Sequence, residues 1–249
     1  MPQKPSLKKR LNSMLAPLYS DLKMKVVAHR GYASKHLENT ITALDEAVKV
    51  GAEMVEFDVQ LTKDGVPIMI HDDNFKRTTG LDRNVFELNK EDFQNHIALK
   101  EVSSVEEVMV WIQGNPNVTA FVEIKQESIL FHGLEKCMKA IKEVCETALS
   151  QCVLISFNPH AVKEAIKIGF HHTGWVVISY DAAGEKIARN INPDYLFADT
   201  EILPEGTGKL WVGKWDWVIY EVVSKEVACK LHLRGVDVIE TKEVEKMLS

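Results

Sequence analysis

The chain has 249 residues, 45% of them hydrophobic, enough to bury one large core or two small ones. A formal charge of −6 argues against a general nucleic-acid binder, which needs clustered Lys and Arg that acids do not offset. No apolar run approaches the roughly 20 residues of a membrane-spanning helix, and Cys137, Cys145, Cys152 and Cys229 form neither a CxxC pair nor a zinc-finger spacing, so a cytoplasmic, reducing location is expected.

Residues 1–25 read as a basic, amphipathic extension: Lys4, Lys8, Lys9 and Arg10 precede Leu11, Met14, Leu15 and Leu18, spaced along one face of a short helix. That pattern suits an organelle-targeting peptide, a weak membrane-surface contact, or a helix closing the bottom of a barrel, and the last is the plainest reading. Residues 26–249 are expected to form a single domain, since no repeat, low-complexity tract or Pro/Gly-rich linker divides them.

Short β-rich runs then alternate with helical stretches, the pattern of βαβ units in a parallel sheet. Nine strands are predicted, at 24–28, 54–59, 67–71, 119–125, 152–157, 173–178, 195–198, 215–220 and 236–240, for the eight places of a (β/α)8 barrel of roughly 250 residues. The run at 195–198 is the one expected to lie outside. A helix is predicted over 40–50, capped by Asn39 or Thr40 and ended at Gly51. Another is predicted over 130–149, on the stripe Leu134, Met138, Ile141, Cys145 and Leu149. The polar stretch 74–104 is expected to sit over the barrel mouth as a lid or specificity element.

The ionisable residues collect at strand ends. Val26-Val27-Ala28 runs into His29-Arg30-Gly31, Met54-Val55 into Glu56-Phe57-Asp58, Ile68-Met69-Ile70 into His71-Asp72, and Ala120-Phe121-Val122 into Glu123-Ile124-Lys125. Active sites of such barrels are built at the C-terminal strand ends. Alternate strand residues share a face, so Glu56 emerges with Asp58, and Glu123 with Lys125. With the strands in barrel order, the three carboxylates meet in one small volume and repel one another unless protons or a cation compensate. Oxygen-only donors suit a hard divalent cation, Mg2+ or Ca2+. Singly, a Glu-x-Asp on a strand is more often a salt-bridged pair, a terminal His a satisfied polar residue, and a barrel Trp such as Trp175 or Trp217 packing. The weight lies in the conjunction. His160, His171 and His172 read as structural or solvent-facing.

These motifs, together with Glu38-Asn39-Thr40, Gly51-Ala52, Thr62-Lys63-Asp64-Gly65, Arg77-Thr78-Thr79-Gly80 and Ser156-Phe157, resemble the signature of the glycerophosphodiester phosphodiesterase family in order and spacing, most specifically over 26–80. The resemblance implies a TIM-like (β/α)8 barrel of parallel strands that hydrolyses glycerophosphodiesters to an alcohol and sn-glycerol 3-phosphate. It implies Glu56, Asp58 and Glu123 as metal ligands, His29 and His71 as the acid/base pair, Arg30 and Lys125 as cations on the phosphate side, and Trp217 against the substrate. The C-terminal third departs from the family pattern: Trp217-Val218-Ile219-Tyr220 and Ile239-Glu240-Thr241 stand where Trp-Thr-Val-Asn-like and Ile-Thr-Asp-like strands are usual. Those changes leave three other readings open: a lysophospholipase D-like enzyme, a glycerophosphoinositol-directed one, or a non-catalytic phosphodiester-binding barrel. Attack by a substrate hydroxyl to give a cyclic phosphate, direct attack by water, and which His starts as base also stay open.

Overall fold

The computed structural model describes residues 24–249, so the basic extension, apart from its last two residues, lies outside the described part. Eight parallel strands close a barrel: β1 (Lys25–Ala28), β2 (Met54–Leu61), β4 (Thr119–Ile124), β5 (Cys152–Ser156), β6 (His172–Val176), β7 (Tyr195–Asp199), β8 (Asp216–Tyr220) and β9 (Val238–Thr241), with β1 paired to both β9 and β2. The ninth strand, β3 (Pro67–Met69), pairs antiparallel with the end of β2 and stands outside the ring. The strand outside the ring is therefore not the 195–198 run expected there. The 195–198 segment is a barrel strand, paired in parallel with β6 and β8, whereas β3 is the return arm of a hairpin turned by Thr62-Lys63-Asp64-Gly65. Antiparallel strands can be joined by such a turn, but a parallel neighbour needs a long crossover, and the short 61–67 connection leaves no room for one.

Helices between the strands cover the barrel. Side-chain caps start five of them: Thr40 accepts from the Ala43 N–H, Ser104 forms a capping box with Glu107, and Asn158, Asp181 and Ser224 cap in the same way. The helix predicted over 130–149 is two, Gln126–His132 and Leu134–Cys145, because Gly133 at φ +84° breaks the run, and a 3-10 turn replaces its last residues. Its stripe holds: Met138, Ile141 and Cys145 are fully buried against the sheet. All four cysteines are free and buried. Among the described residues no helix is long and apolar enough to cross a membrane.

Outward-facing strand residues pack under the helices, and the inward-facing set Val27, Phe121, Val153, Ile155, Val176, Phe197, Val218 and Val238 fills the barrel. Phe121 meets Tyr195 and Phe197 edge-on at 5.1 and 5.2 Å between ring centroids. Three aromatic rings fit there because β6 contributes Gly174. A Cβ at that position would stand 2.9 Å from Ile155 Cγ2 and 3.2 Å from both Phe197 and Tyr195. Gly174→Val is accordingly expected to destabilise the protein by about 1–3 kcal/mol through overpacking, lowering the melting temperature by several degrees. An unchanged thermal melt would mean that the interior has slack at this layer.

Candidate active site

The C-terminal end of the barrel opens into a cavity of about 180 Å³. Its lining combines His29, Arg30, Asp58, His71, Glu123 and Lys125 with a second wall of Phe157, Val176, Phe197, Asp199, Tyr220, Glu221 and Glu240. With β3 outside the ring, β2 and β4 are direct neighbours, and their register sets Asp58 opposite Glu123. Alternation then brings Glu56 to the same face. One oxygen from each of Glu56, Asp58 and Glu123 lies within 4.8 Å of the others, and all three side chains are buried.

The group is held by donors around it. Lys125 Nζ bridges Glu123 Oε1 at 2.7 Å and Asp58 Oδ1 at 3.2 Å. Arg30 Nε lies 3.0 Å from Asp58 Oδ2, and Asn39 Nδ2 donates to the same oxygen at 2.9 Å. Arg30 and Asn39 both adopt left-handed backbone, at φ +56° and +54°. That conformation of Arg30 turns its N–H to Glu56 Oε2 at 2.9 Å. The turn is completed by Gly31 at φ +77°, where a Cβ would meet the Ala43 backbone at 2.5 Å, so only glycine lets the His29-Arg30-Gly31 loop seat against its helix.

Burial pushes the Asp58 carboxyl up, but Lys125 and Arg30 more than offset it and hold it well below the usual carboxylate range. Glu56 has no such side-chain partner; burial, Asp58 and Glu240 drive its pKa well above normal. Glu123 is pushed up to about 7, by burial and by Asp58 against the pull of Lys125. The Oε1 atom of Glu56 is buried without a hydrogen-bond partner. An orphaned carboxyl oxygen within an all-oxygen cluster is what a hard divalent cation would satisfy, so these residues fit such an ion.

The two histidines sit differently. His29 follows β1, is buried, and is brought down to about 3 by burial and by Arg30, so its imidazole is neutral. Its Nε2 lies 4.0 Å from Glu56 and its Nδ1 3.6 Å from Glu221. His71 does not end a barrel strand as the sequence suggested; it follows the antiparallel hairpin arm and is more open. Its Nδ1 lies 2.6 Å from Asp72 Oδ1, and since a carboxylate only accepts, Nδ1 carries the hydrogen and Nε2 is the free nitrogen. Asp72 is gripped by Arg77 at 2.6 Å, Arg77 also reaches Glu38 at 2.7 Å, and Glu38 pairs with Arg30 at 2.9 Å. A chain of charges therefore runs from His71 to Asp58.

Other expectations change place. Trp217 points outward from β8, 5% exposed, and donates to the Trp211 carbonyl among the aromatic packing of that face; Trp175 is likewise outside. Tyr220, three residues on, lines the cavity in its stead. The 74–104 stretch folds around its own small core of Ile68, Ile70, Phe75, Val85, Leu88, Phe93, Leu99 and Val102, and contributes Arg77 rather than a cavity wall. Asp199, Glu221 and Glu240 also line the cavity, outside every motif singled out in the sequence as chemical. Strand alternation from Val238 was the available signal for Glu240.

The chain matches the model of the glycerophosphoryl diester phosphodiesterase family over residues 29–168. It is 32% identical over 244 residues to a glycerophosphodiester phosphodiesterase of Caldanaerobacter subterraneus, covering 92% of this chain and 98% of that protein. A 64-residue stretch, 26% of this chain and 20% of the relative, is 45% identical to human lysophospholipase D GDPD1. Among solved structures, an Oleispira antarctica phosphodiesterase in complex with the product sn-glycerol-3-phosphate superposes with a TM-score of 0.76 at 20% identity, over 92% of this chain and 97% of that one. A Thermotoga maritima glycerophosphodiester phosphodiesterase does so at 0.71 and 21%, over 90% and 97%.

The raised carboxylates make stability depend on pH. A carboxyl whose pKa is raised by folding binds more protons folded than unfolded, so its contribution falls as pH rises above its unfolded value. His29, lowered by folding, opposes this only below about pH 6.5. With divalent cations chelated, the melting temperature is therefore expected to fall between pH 6.5 and 8, and added Mg2+ or Ca2+ to flatten that decline. A melting temperature that rises over this window in chelator would contradict the charge balance described.

Proposed function

The chain belongs to the glycerophosphoryl diester phosphodiesterase family and is a phosphodiesterase of that kind, and we propose that it hydrolyses glycerophosphodiesters to an alcohol and sn-glycerol 3-phosphate, using a divalent cation and two histidines. The observation that carries this reading is the convergence at one cavity of Asp58 and Glu123, whose cluster Glu56 completes, with two histidines that bind none of its oxygens tightly. Similarity to a relative with that activity over nearly the full length of both chains supports it.

A phosphodiester is anionic, so its cleavage needs charge neutralised on the non-bridging oxygens, a nucleophile activated and a leaving alkoxide protonated. Glu56, Asp58 and Glu123 would hold the cation, Mg2+ or Ca2+, which supplies Lewis acidity at a phosphoryl oxygen when bound. Lys125 uses two of its three N–H groups on Glu123 and Asp58, leaving one to face the cavity. Arg30 is likewise anchored by Asp58 and Glu38 with N–H groups to spare. Both cations are thus fixed before substrate arrives, which lowers the cost of organising them around phosphate. His29 and His71 would divide the proton work: one takes a proton from the attacking oxygen and the other returns one to the leaving oxygen. Asp72 fixes the tautomer of His71, keeping Nε2 turned to the reaction, and Arg77 fixes Asp72.

His29→Ala and His71→Ala are each expected to lower kcat by about 10²–10⁴ while circular dichroism stays native. Near-normal turnover in either purified variant would remove that residue from the mechanism. Asp72→Asn is expected to cost less, since it disturbs the orientation of His71 rather than its presence. Exhaustive chelation is expected to abolish turnover, and readdition of Mg2+ or Ca2+ to restore it; full activity in chelator would sink the cation's role. Release of alcohol from glycerophosphocholine, glycerophosphoethanolamine, glycerophosphoinositol and lysophosphatidylcholine, measured in parallel, would rank the head groups and test the lysophospholipase D alternative.

A further inference from the structure

We propose that Glu240 is a further acidic residue of the cation site, a role that none of the matched motifs assigns; the inference rests on the cation reading above. Glu240 lies on β9, two residues beyond the inward-facing Val238, and pairs in register with Val27 of β1, the strand between β9 and β2. It is 3% exposed and lines the same cavity as Asp58 and Glu123. Its Oε1 is buried with no hydrogen-bond partner, the same condition as Oε1 of Glu56.

The cations nearby are committed elsewhere. Arg30 pairs with Glu38 and Asp58, and Lys125 with Asp58 and Glu123; among the described residues neither forms an ion pair with Glu240. Four buried carboxylates therefore meet two cations, the buried Lys125 and the partly buried Arg30, which leaves a formal excess of two negative charges. One divalent ion balances that excess. Three carboxylates would leave an excess of one. Glu240 is not among the residues whose oxygens gather within 4.8 Å, so it acts from the next layer, adding negative potential and an acceptor toward the ion's hydration shell. The bland alternative is a protonated side chain that fills space and ignores the ion.

Isothermal titration of MgCl2 and of CaCl2 into the full-length, chelator-treated protein separates the two. Glu240→Gln keeps the shape and removes the charge, and it is expected to weaken cation binding roughly ten-fold or more, as loss of a supporting carboxylate does at other metal sites. Glu240→Thr, smaller and also neutral, should show the same loss and serves if the Gln variant fails to fold by circular dichroism. Unchanged affinity in a folded variant, with the parent binding normally, overturns the role of Glu240 alone. A parent protein that binds neither ion overturns both this inference and the cation reading, while the histidine variants still report independently on phosphodiester cleavage.

Discussion

The structure depends on one electrostatic constraint: several carboxylates are buried side by side at the end of a parallel barrel. Like charges out of water are costly unless compensated, and the surrounding features can be read as compensation. Lys125 bridges Glu123 and Asp58, Asn39 donates an amide N–H to the other Asp58 oxygen, and Arg30 supplies a guanidinium and a backbone N–H in different directions. The double use of Arg30 requires left-handed backbone, as does the placement of Asn39, and each such residue costs on the order of 1–3 kcal/mol. The barrel and the helix capped by Thr40 over-determine those positions, so the strain persists at the place where charge must be managed.

The exclusion of β3 from the ring has two consequences for the site. It makes β2 and β4 neighbours, so that Asp58 and Glu123 stand in register, a spacing that an intervening strand would double. It also delivers His71 from outside the barrel, on a hairpin whose far side is the small core around Phe75 and Phe93. His71 is thus positioned by packing independent of the main core, and the run Asp72, Arg77, Glu38, Arg30 ties that unit back to the carboxylates. Charges that offset one another in this run also set the angle of an imidazole.

Much of the site was legible in the sequence because strand alternation is local. Glu56 with Asp58, and Glu123 with Lys125, follow from a period of two, and an apolar run ending in His29 marks a strand end wherever the strand lies. Strand membership is not local. The run Pro67–Met69 has a strand's composition, and only the short turn before it distinguishes a hairpin arm from a barrel strand. Trp217 shows the same limit: its neighbours Val218 and Tyr220 face the interior, and reading the wrong parity by one residue exchanges the outer layer for the cavity. Glu38 and Arg77 were visible as motif residues, but their ion pair spans 39 positions and links a loop after β1 to the segment after β3.

The two walls of the cavity also divide along the chain. The groups assigned to cation binding and proton transfer, His29 through Lys125, fall within the 29–168 stretch that matches the family, and Glu240, proposed above as a further acid of the cation site, falls beyond it. The facing wall, apart from Phe157, comes from Val176, Phe197, Asp199, Tyr220, Glu221 and Glu240, all beyond it. Phosphate is common to every glycerophosphodiester, so the residues that handle it are constrained by one chemistry. Tyr220 and Glu240 occupy positions on β8 and β9 where the motif pattern of the chain's first half gives no guidance, and the 74–104 segment contributes nothing to the cavity wall.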